Sequence, residues 1–180
     1  FKTLLREWVK ERRNNPSNIV WGLQNESTLP TTFAQECADI IREMDPTTSS
    51  QRIVTTCNGG TGTDWNVIQN WSGTYGGNPE KYNEELKVQW LNGEYGAWRS
   101  LDLHTEGPFN QNGTLSEDRM AQLLEMKVRL AESVRDSVSG QFLWIFSSHD
   151  NPGRIQSGEA LRDIDRVGPV NYKGLLTPWA

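Results

Sequence analysis

The 180-residue sequence is poor in the side chains that build metal and redox centres. It contains two cysteines and two histidines, and Cys37 and Cys57 form neither a CxxC pair nor the spacing of a metal site. A disulfide between them and two separate thiols both remain open, and two separate buried thiols are the interpretation we favour. With so few ligands of this kind, the sequence predicts neither a metal ion nor a cofactor.

The sequence also lacks an excess of positive charge and a long apolar segment. It has 18 Lys and Arg against 23 Asp and Glu, which gives a net charge of -5. A basic surface for nucleic acid or for an anionic membrane is therefore not expected. No apolar run approaches the roughly 18 residues that a membrane-spanning helix needs. We predict that neither nucleic acid nor a membrane is a partner.

Tryptophan is the residue that this sequence has in abundance. Eight tryptophans accompany four tyrosines and five phenylalanines. Aromatic rings fill hydrophobic cores, and their flat faces also stack on the C–H faces of sugar rings. The composition therefore favours carbohydrate over other small ligands.

Helical and extended apolar patterns alternate along the chain. Helical spacing predicts helices near residues 1–15, 32–45, 79–88 and 114–140. Capping-box patterns are found at residues 32–35 and 114–117. Short apolar runs predict strands near residues 18–23, 52–56, 65–71, 88–93 and 141–146, the first of them buried on both faces. This alternation predicts an α/β protein with a parallel sheet, either an open sheet or a piece of a barrel.

Two glutamates are found at predicted strand ends, where functional residues of parallel sheets lie. Glu26 follows the first predicted strand and Glu94 follows the fourth. A carboxylate at the end of a buried strand is costly unless the site uses it. Acetal hydrolysis needs one protonated and one ionised carboxyl group, which this pair could provide. The alternative is that both glutamates are strand-end salt-bridge partners.

The segments around these glutamates resemble motifs of family 2 glycoside hydrolases, the group of β-galactosidases, β-glucuronidases and β-mannosidases. Residues 15–26 combine Asn-Pro-Ser, an apolar run with tryptophan and a final Asn-Glu, and are similar to the family's strand-four signature. Residues 93–97, Gly-Glu-Tyr-Gly-Ala, are similar to its strand-seven motif. The resemblance implies that Glu26 is the general acid/base and Glu94 the nucleophile. It also implies that Asn25 binds the sugar hydroxyl next to the anomeric centre.

The same resemblance implies aromatic residues around the sugar. Residues 142–144 are similar to the family's eighth strand, whose tryptophan, here Trp144, lines the sugar site. The family places a tyrosine on strand six that donates a hydrogen bond to the nucleophile. In this chain the register is ambiguous, and we prefer Tyr75 for that role, with Trp71 as a platform on which the sugar stacks. For Trp71 and Tyr75, packing against the helix layer is the alternative.

The identity of the sugar is predicted by two signals that point in different directions. The aromatic-rich loops favour a neutral sugar, and a β-galactoside is our first choice. Asn171 and Lys173 match an Asn-x-Lys pattern that binds the substrate carboxylate in glucuronidases, and His104 is also similar to that branch. β-Glucuronidase is therefore the second candidate, and a non-catalytic carbohydrate-binding remnant is the third.

The resemblance covers essentially the whole chain and implies its fold. Residues 1–180 would form one partial catalytic domain, the carboxyl-terminal portion (about strands 4–8) of a (β/α)8 TIM barrel. The missing amino-terminal barrel half and accessory β-sandwich domains are expected in the full-length chain. The implied chemistry is a retaining double displacement without metal or cofactor. Export to the periplasm or the exterior is slightly favoured, because polysaccharide-processing relatives are often exported.

Overall fold

The structure is a computed structural model that describes residues 1–74, 76–97, 117–147 and 174–176. The chain divides into two compact units, Phe1–Gln69 and Asn70–Ala180. Both units combine parallel strands with helices. None of the helices in the described residues is long and apolar enough to cross a membrane.

The first unit contains two helices and three strands. In chain order these are α1 (Lys2–Arg12), β1 (Val20–Asn25), α2 (Thr31–Met44), β2 (Ile53–Cys57) and β3 (Trp65–Asn70). β1 pairs in parallel with β2, and β2 pairs in parallel with β3. Parallel neighbours need a crossover connection, and α2 provides it between β1 and β2. The predicted order of elements is confirmed in this unit.

The core of the first unit lies between its two helices and its strands. Its buried members are Leu5, Val9, Trp21, Leu23, Ala34, Cys37, Ala38, Ile40, Ile41 and Val54. Burial alternates along β1, because Trp21 and Leu23 face this core while Gly22 between them is exposed. The prediction that β1 is buried on both faces is therefore wrong for the described residues. The two cysteines form no disulfide; Cys37 is buried and Cys57 is half-buried.

A buried polar cluster around Asp45 fixes β1 to the end of α2. The Asp45 carboxylate accepts hydrogen bonds from Trp21 Nε1 at 3.0 Å, from Arg52 Nη1 at 2.6 Å and from Thr47 Oγ1 at 2.6 Å. Burial by itself raises the pKa of Asp45, but the hydrogen bonds from Thr47, Arg52 and Trp21 outweigh it and hold the pKa well below 3.8. Asp45 is therefore a charged structural anchor of this unit.

The second unit contains two helices and two strands among its described residues. They are α3 (Tyr82–Gln89), β4 (Leu91–Tyr95), α4 (Glu117–Glu132) and β5 (Gly140–Leu143), with short 3-10 turns at Pro79–Lys81 and Arg135–Ser137. β4 and β5 pair in parallel. Its buried clusters comprise Tyr82, Leu86, Tyr95, Ala131 and Val134, and separately Ala97, Met120 and Leu123.

Two predicted helix boundaries are wrong. α2 begins at Thr31 after Pro30 and has no side-chain cap hydrogen bond, so the capping box predicted at Thr32 does not form. The physical reason is that Thr32 already lies within the first helical turn. α4 ends at Glu132 instead of continuing to residue 140. Near its end Ser133 Oγ donates to a backbone carbonyl, a local bond that competes with the helix.

Two strands extend further than predicted, whereas β5 ends at Leu143, three residues before its predicted end. β1 runs to Asn25 and β4 runs to Tyr95, each about two residues beyond its apolar run. Glu26 therefore follows β1 directly, as predicted, whereas Glu94 lies inside β4. Parallel pairing with β5 continues to Tyr95, which explains the extension.

Candidate active site

Glu94 is a half-buried strand residue whose backbone and carboxylate are both held by hydrogen bonds. Its N–H donates to Asn92 Oδ1 at 3.1 Å, and its Oε1 accepts from Trp71 Nε1 at 3.0 Å. The orientation of the Glu94 carboxylate is therefore fixed. A carboxylate fixed in this way is suited to attack a bound electrophile.

Trp71 makes a contact that was not predicted from the sequence, and its role as a stacking platform stays a prediction. Its indole N–H points at the Glu94 carboxylate, so Trp71 supplies the kind of hydrogen bond that we assigned to Tyr75. An indole N–H is only a donor, so Glu94 Oε1 is the acceptor in this bond. Tyr75 lies outside the described residues, and its role stays a prediction.

Gly96 leaves room for the Trp71 ring and for the backbone of Trp144. A Cβ atom added to Gly96 would lie 2.7 Å from Trp71 Cη2 and would collide with the Trp144 carbonyl oxygen. Trp144 N–H donates to the Tyr95 carbonyl at 2.8 Å, which continues the β4–β5 pairing past the end of β5. Trp144 is 37% exposed. The Trp71 ring and the backbone of Trp144, two residues predicted separately from sequence, therefore both lie against Gly96, two residues after Glu94.

A row of hydrogen bonds between buried side chains supports the backbone of Glu94. Asn92, which accepts from the Glu94 N–H, donates through Nδ2 to the Tyr82 hydroxyl at 2.7 Å, and Tyr82 donates to Gln141 Oε1 at 2.6 Å. Asn92 and Tyr82 are both fully buried. Burial raises the pKa of Tyr82, so its hydroxyl stays protonated and keeps its donor. This row of hydrogen bonds was not predicted from the sequence.

Lys127 is a buried cation in contact with the residues that follow Glu94, and it was not predicted from the sequence either. Its Nζ donates to the Gly96 carbonyl at 2.9 Å and lies 5.7 Å from the centre of the Tyr82 ring. Burial, with a smaller contribution from Arg119, lowers the pKa of Lys127 to about 8. Its position in the apolar stripe of α4, between Leu123 and Ala131, is a sequence signal that could have revealed it.

Glu26 occupies a tight turn after β1 in the first unit. It has φ of +50°, a conformation that non-glycine residues rarely adopt, and its N–H donates to the Cys57 carbonyl at 2.9 Å. Gln24 braces the turn, because its Oε1 accepts from Ser27 while its Nε2 donates to the Gly59 carbonyl. The Glu26 residue is exposed. Uncommon backbone conformations of this kind persist where the surroundings enforce them, and they are concentrated at functional sites.

Asn25 lies beside Glu26 and is held by a residue that the sequence analysis did not identify. Gln69 Nε2 donates to Asn25 Oδ1 at 2.7 Å across the sheet of the first unit. Asn25 is exposed, whereas Gln69 is buried at 9% exposure. The sequence signal for this contact was that Gln69, an amide, shares a strand face with the apolar Val67 of β3.

The remaining predicted site residues are His104, Asn171 and Lys173, and all three lie outside the described residues. Within the described residues no group of three or more His, Cys, Asp or Glu side chains could hold a metal ion. Asn25 and Glu26 are thus adjacent in the first unit, and in the second unit Trp71 is hydrogen-bonded to Glu94.

The sequence and the fold were compared with those of known proteins. No family model matches the chain. A protein of Formosa agariphila, provisionally named a β-glucuronidase, is 24% identical over 97% of the chain and 25% of its own length. The structure of Bacteroides uniformis β-glucuronidase 3 covers 98% of the chain with a TM-score of 0.72 at 21% identity. A Bacteroides fragilis protein provisionally named a β-galactosidase gives a TM-score of 0.75 at 21% identity over 98% of the chain.

The structural likeness defines the fold class, a partial (β/α)8 barrel of parallel strands and covering helices. Numbering its strands as four to eight of the barrel stays a prediction. The chain spans 26% and 28% of the two solved structures and 25% of the sequence relative. These matches confirm the resemblance to family 2 glycoside hydrolases of the β-glucuronidase and β-galactosidase type that the motifs around Glu26 and Glu94 predict.

Proposed function

We propose that the chain belongs to the catalytic domain of a retaining glycoside hydrolase that removes terminal β-linked sugars. The observation that carries the proposal is the hydrogen bond from Trp71 Nε1 to Glu94 Oε1, which orients the carboxylate. The adjacent Asn25 and Glu26 in their enforced turn supply the second group of side chains that the family chemistry needs.

The proposed reaction has two displacements. Glu94 Oε attacks the anomeric carbon and forms an ester to the sugar, while the bond to the leaving oxygen breaks and Glu26 gives that oxygen its proton. Water then attacks the anomeric carbon, Glu26 accepts the proton of this water, and the ester bond to Glu94 breaks. Two inversions give overall retention. Asn25 binds the hydroxyl next to the anomeric carbon, and Trp144 lines the sugar.

Azide rescue tests the two carboxylate roles separately in the full polypeptide that contains this chain. In Glu94→Ala, azide replaces the missing nucleophile, so a single displacement gives the α-glycosyl azide. In Glu26→Ala, azide attacks the glycosyl ester without needing a base, so the product is the β-glycosyl azide. The opposite pairing of products would reverse the assigned roles. Activity of both variants at the wild-type level without azide would refute the proposal.

The substrate is either a β-galactoside or a β-glucuronide. The aromatic-rich loops favour the neutral sugar, but the sequence relative and one matched structure are named β-glucuronidases. Asn171 and Lys173 provide the Asn-x-Lys pattern that would bind a carboxylate at C6. We therefore propose β-glucuronides as the primary substrate and β-galactosides as the second candidate.

Hydrolysis of the nitrophenyl β-glucuronide and β-galactoside separates these substrates. We expect the larger kcat/KM for the glucuronide, and Lys173→Met should abolish that preference while leaving galactoside hydrolysis unchanged. A larger kcat/KM for the galactoside, or an equal loss of both activities in Lys173→Met, would overturn the glucuronide assignment.

A non-catalytic carbohydrate-binding role is the alternative from another class. It predicts that the wild-type polypeptide binds sugars but hydrolyses neither nitrophenyl glycoside. It also predicts that Glu94→Gln leaves sugar affinity unchanged and that no glycosyl azide forms in any variant.

A further inference from the structure

Gln69 is a buried amide in contact with a residue of the candidate site. It lies near the end of β3, is 9% exposed, and donates from Nε2 to Asn25 Oδ1 at 2.7 Å. The same Nε2 lies 3.8 Å from Cys57 Sγ, and Asn58 Nδ2 donates to Gln69 Oε1 at 3.5 Å. The Gln69 amide is thus fixed at both its nitrogen and its oxygen.

This contact determines which edge of the Asn25 amide faces outward. A side-chain amide has one oxygen acceptor and one nitrogen donor, on opposite edges of the same plane. Because the Asn25 oxygen is occupied by Gln69, the Asn25 NH2 group is directed away from Gln69. Asn25 is exposed, so this donor is available to a ligand.

We propose that Gln69 is a positioning residue that makes Asn25 present its N–H to the sugar hydroxyl next to the anomeric carbon. The proposal rests on the proposed glycosidase function, because it gives Asn25 a substrate to contact. Without the Gln69 donor, the Asn25 amide would rotate, and its oxygen would face the sugar in part of the population. Hydrogen bonds to this hydroxyl strengthen in the transition state of glycoside hydrolysis, so the orientation of Asn25 affects the rate.

The effect of Gln69 is specific to one substrate atom, and this makes it testable. If Gln69 acts only through Asn25, its removal impairs hydrolysis of a sugar with the 2-hydroxyl and leaves hydrolysis of the 2-deoxy sugar unchanged. A general structural role would lower the rate on both sugars equally. The ratio of kcat/KM between the two substrates therefore separates positioning from packing.

The test uses Gln69→Met, which keeps the length and shape of the side chain but removes both hydrogen-bonding groups, in the full polypeptide. The substrates are the nitrophenyl glycoside that the wild type hydrolyses faster and its 2-deoxy counterpart. We expect kcat/KM for the 2-hydroxy substrate to fall about tenfold or more, while that for the 2-deoxy substrate is unchanged. Gln51→Met makes the same substitution at an exposed position of the same unit and should leave both values unchanged.

Two results would overturn the inference. Equal losses on both substrates would mean that Gln69 only supports the fold, and no loss on either would mean that it does not position Asn25. Glu94→Gln in the same assay distinguishes these results from failure of the proposed function. If Glu94→Gln abolishes both activities, the glycosidase assignment stands whatever Gln69→Met does. If Glu94→Gln hydrolyses both substrates like the wild type, the glycosidase assignment itself fails.

Discussion

Removing the indole N–H of Trp71 should weaken catalysis while leaving the fold intact. The N–H donates to Glu94 Oε1 at 3.0 Å, and both side chains are half-buried. A hydrogen bond to a charged group contributes about 1.5–3 kcal/mol, and partial exposure favours the lower half of that range. A loss of about 1.5–2 kcal/mol corresponds to a fall of roughly 10- to 30-fold in kcat/KM.

The cleanest perturbation replaces Trp71 by benzothienylalanine, in which sulfur takes the place of the N–H group. The ring keeps its shape, so its packing against Gly96 is preserved, whereas Trp71→Phe would also lose ring atoms that contact Gly96. The same replacement at Trp90, which is 64% exposed, is the matched control and should leave kcat/KM unchanged.

The assay is kcat/KM with a nitrophenyl glycoside. A variant at position 71 with wild-type kcat/KM would refute the view that this hydrogen bond supports catalysis.

Three further predictions concern stability and packing. Burial lowers the pKa of Lys127 from 10.5 to about 8, so between these pH values the unfolded state binds more protons than the folded state. The free energy of unfolding should therefore rise with pH across that window, by roughly 3 kcal/mol. Chemical unfolding should show this slope in the wild type and in Arg129→Met, but not in Lys127→Met. Asp45→Asn should lower the free energy of unfolding by about 3–5 kcal/mol near pH 7, because the stabilisation needs the ionised carboxylate. This loss should shrink as the pH falls below 3.8. As the control, the exposed Asp39→Asn should change the free energy of unfolding by less than about 1 kcal/mol. Gly96→Ala should lower the thermal midpoint and kcat/KM together, because the new methyl collides with the indole ring and the backbone carbonyl beside it, and an unchanged kcat/KM would contradict that packing.

The order of helices and strands could be predicted because each element carries its own periodic apolar pattern. Ala34, Cys37 and Ile41 of α2 recur at helical spacing and pack on one core. Boundaries were less predictable, because they depend on pairing partners. β4 continues through Glu94 to Tyr95 since it pairs with β5, a contact that no local pattern contains.

The candidate carboxylates could be predicted, but the residues that orient them could not. Glu26 and Glu94 follow apolar runs and lie in motifs, so sequence reasoning finds them. The contacts of Gln69 with Asn25, and of Lys127 with Gly96, join residues 44 and 31 positions apart in the chain. A single sequence does not show such pairs, because amide and lysine side chains are ordinarily solvent-exposed.

The role of Trp71 shows the same limit at one position. Its residue type suggested a flat surface for stacking, which is a property of the ring face. The structure shows its edge in use, with the N–H directed at Glu94. Which part of an indole is used depends on the backbone around it, and here Gly96 permits the close approach.

The most direct test of the glycosidase proposal is covalent trapping of the nucleophile in the full polypeptide. The reagents are 2-deoxy-2-fluoro-β-glucuronosyl fluoride and its galactosyl counterpart, whose fluorine at C2 slows release of the glycosyl ester. Peptide mass spectrometry should find one added sugar on Glu94, and none in Glu94→Gln. A sugar attached to any other residue, or no adduct with either reagent, would contradict the assignment.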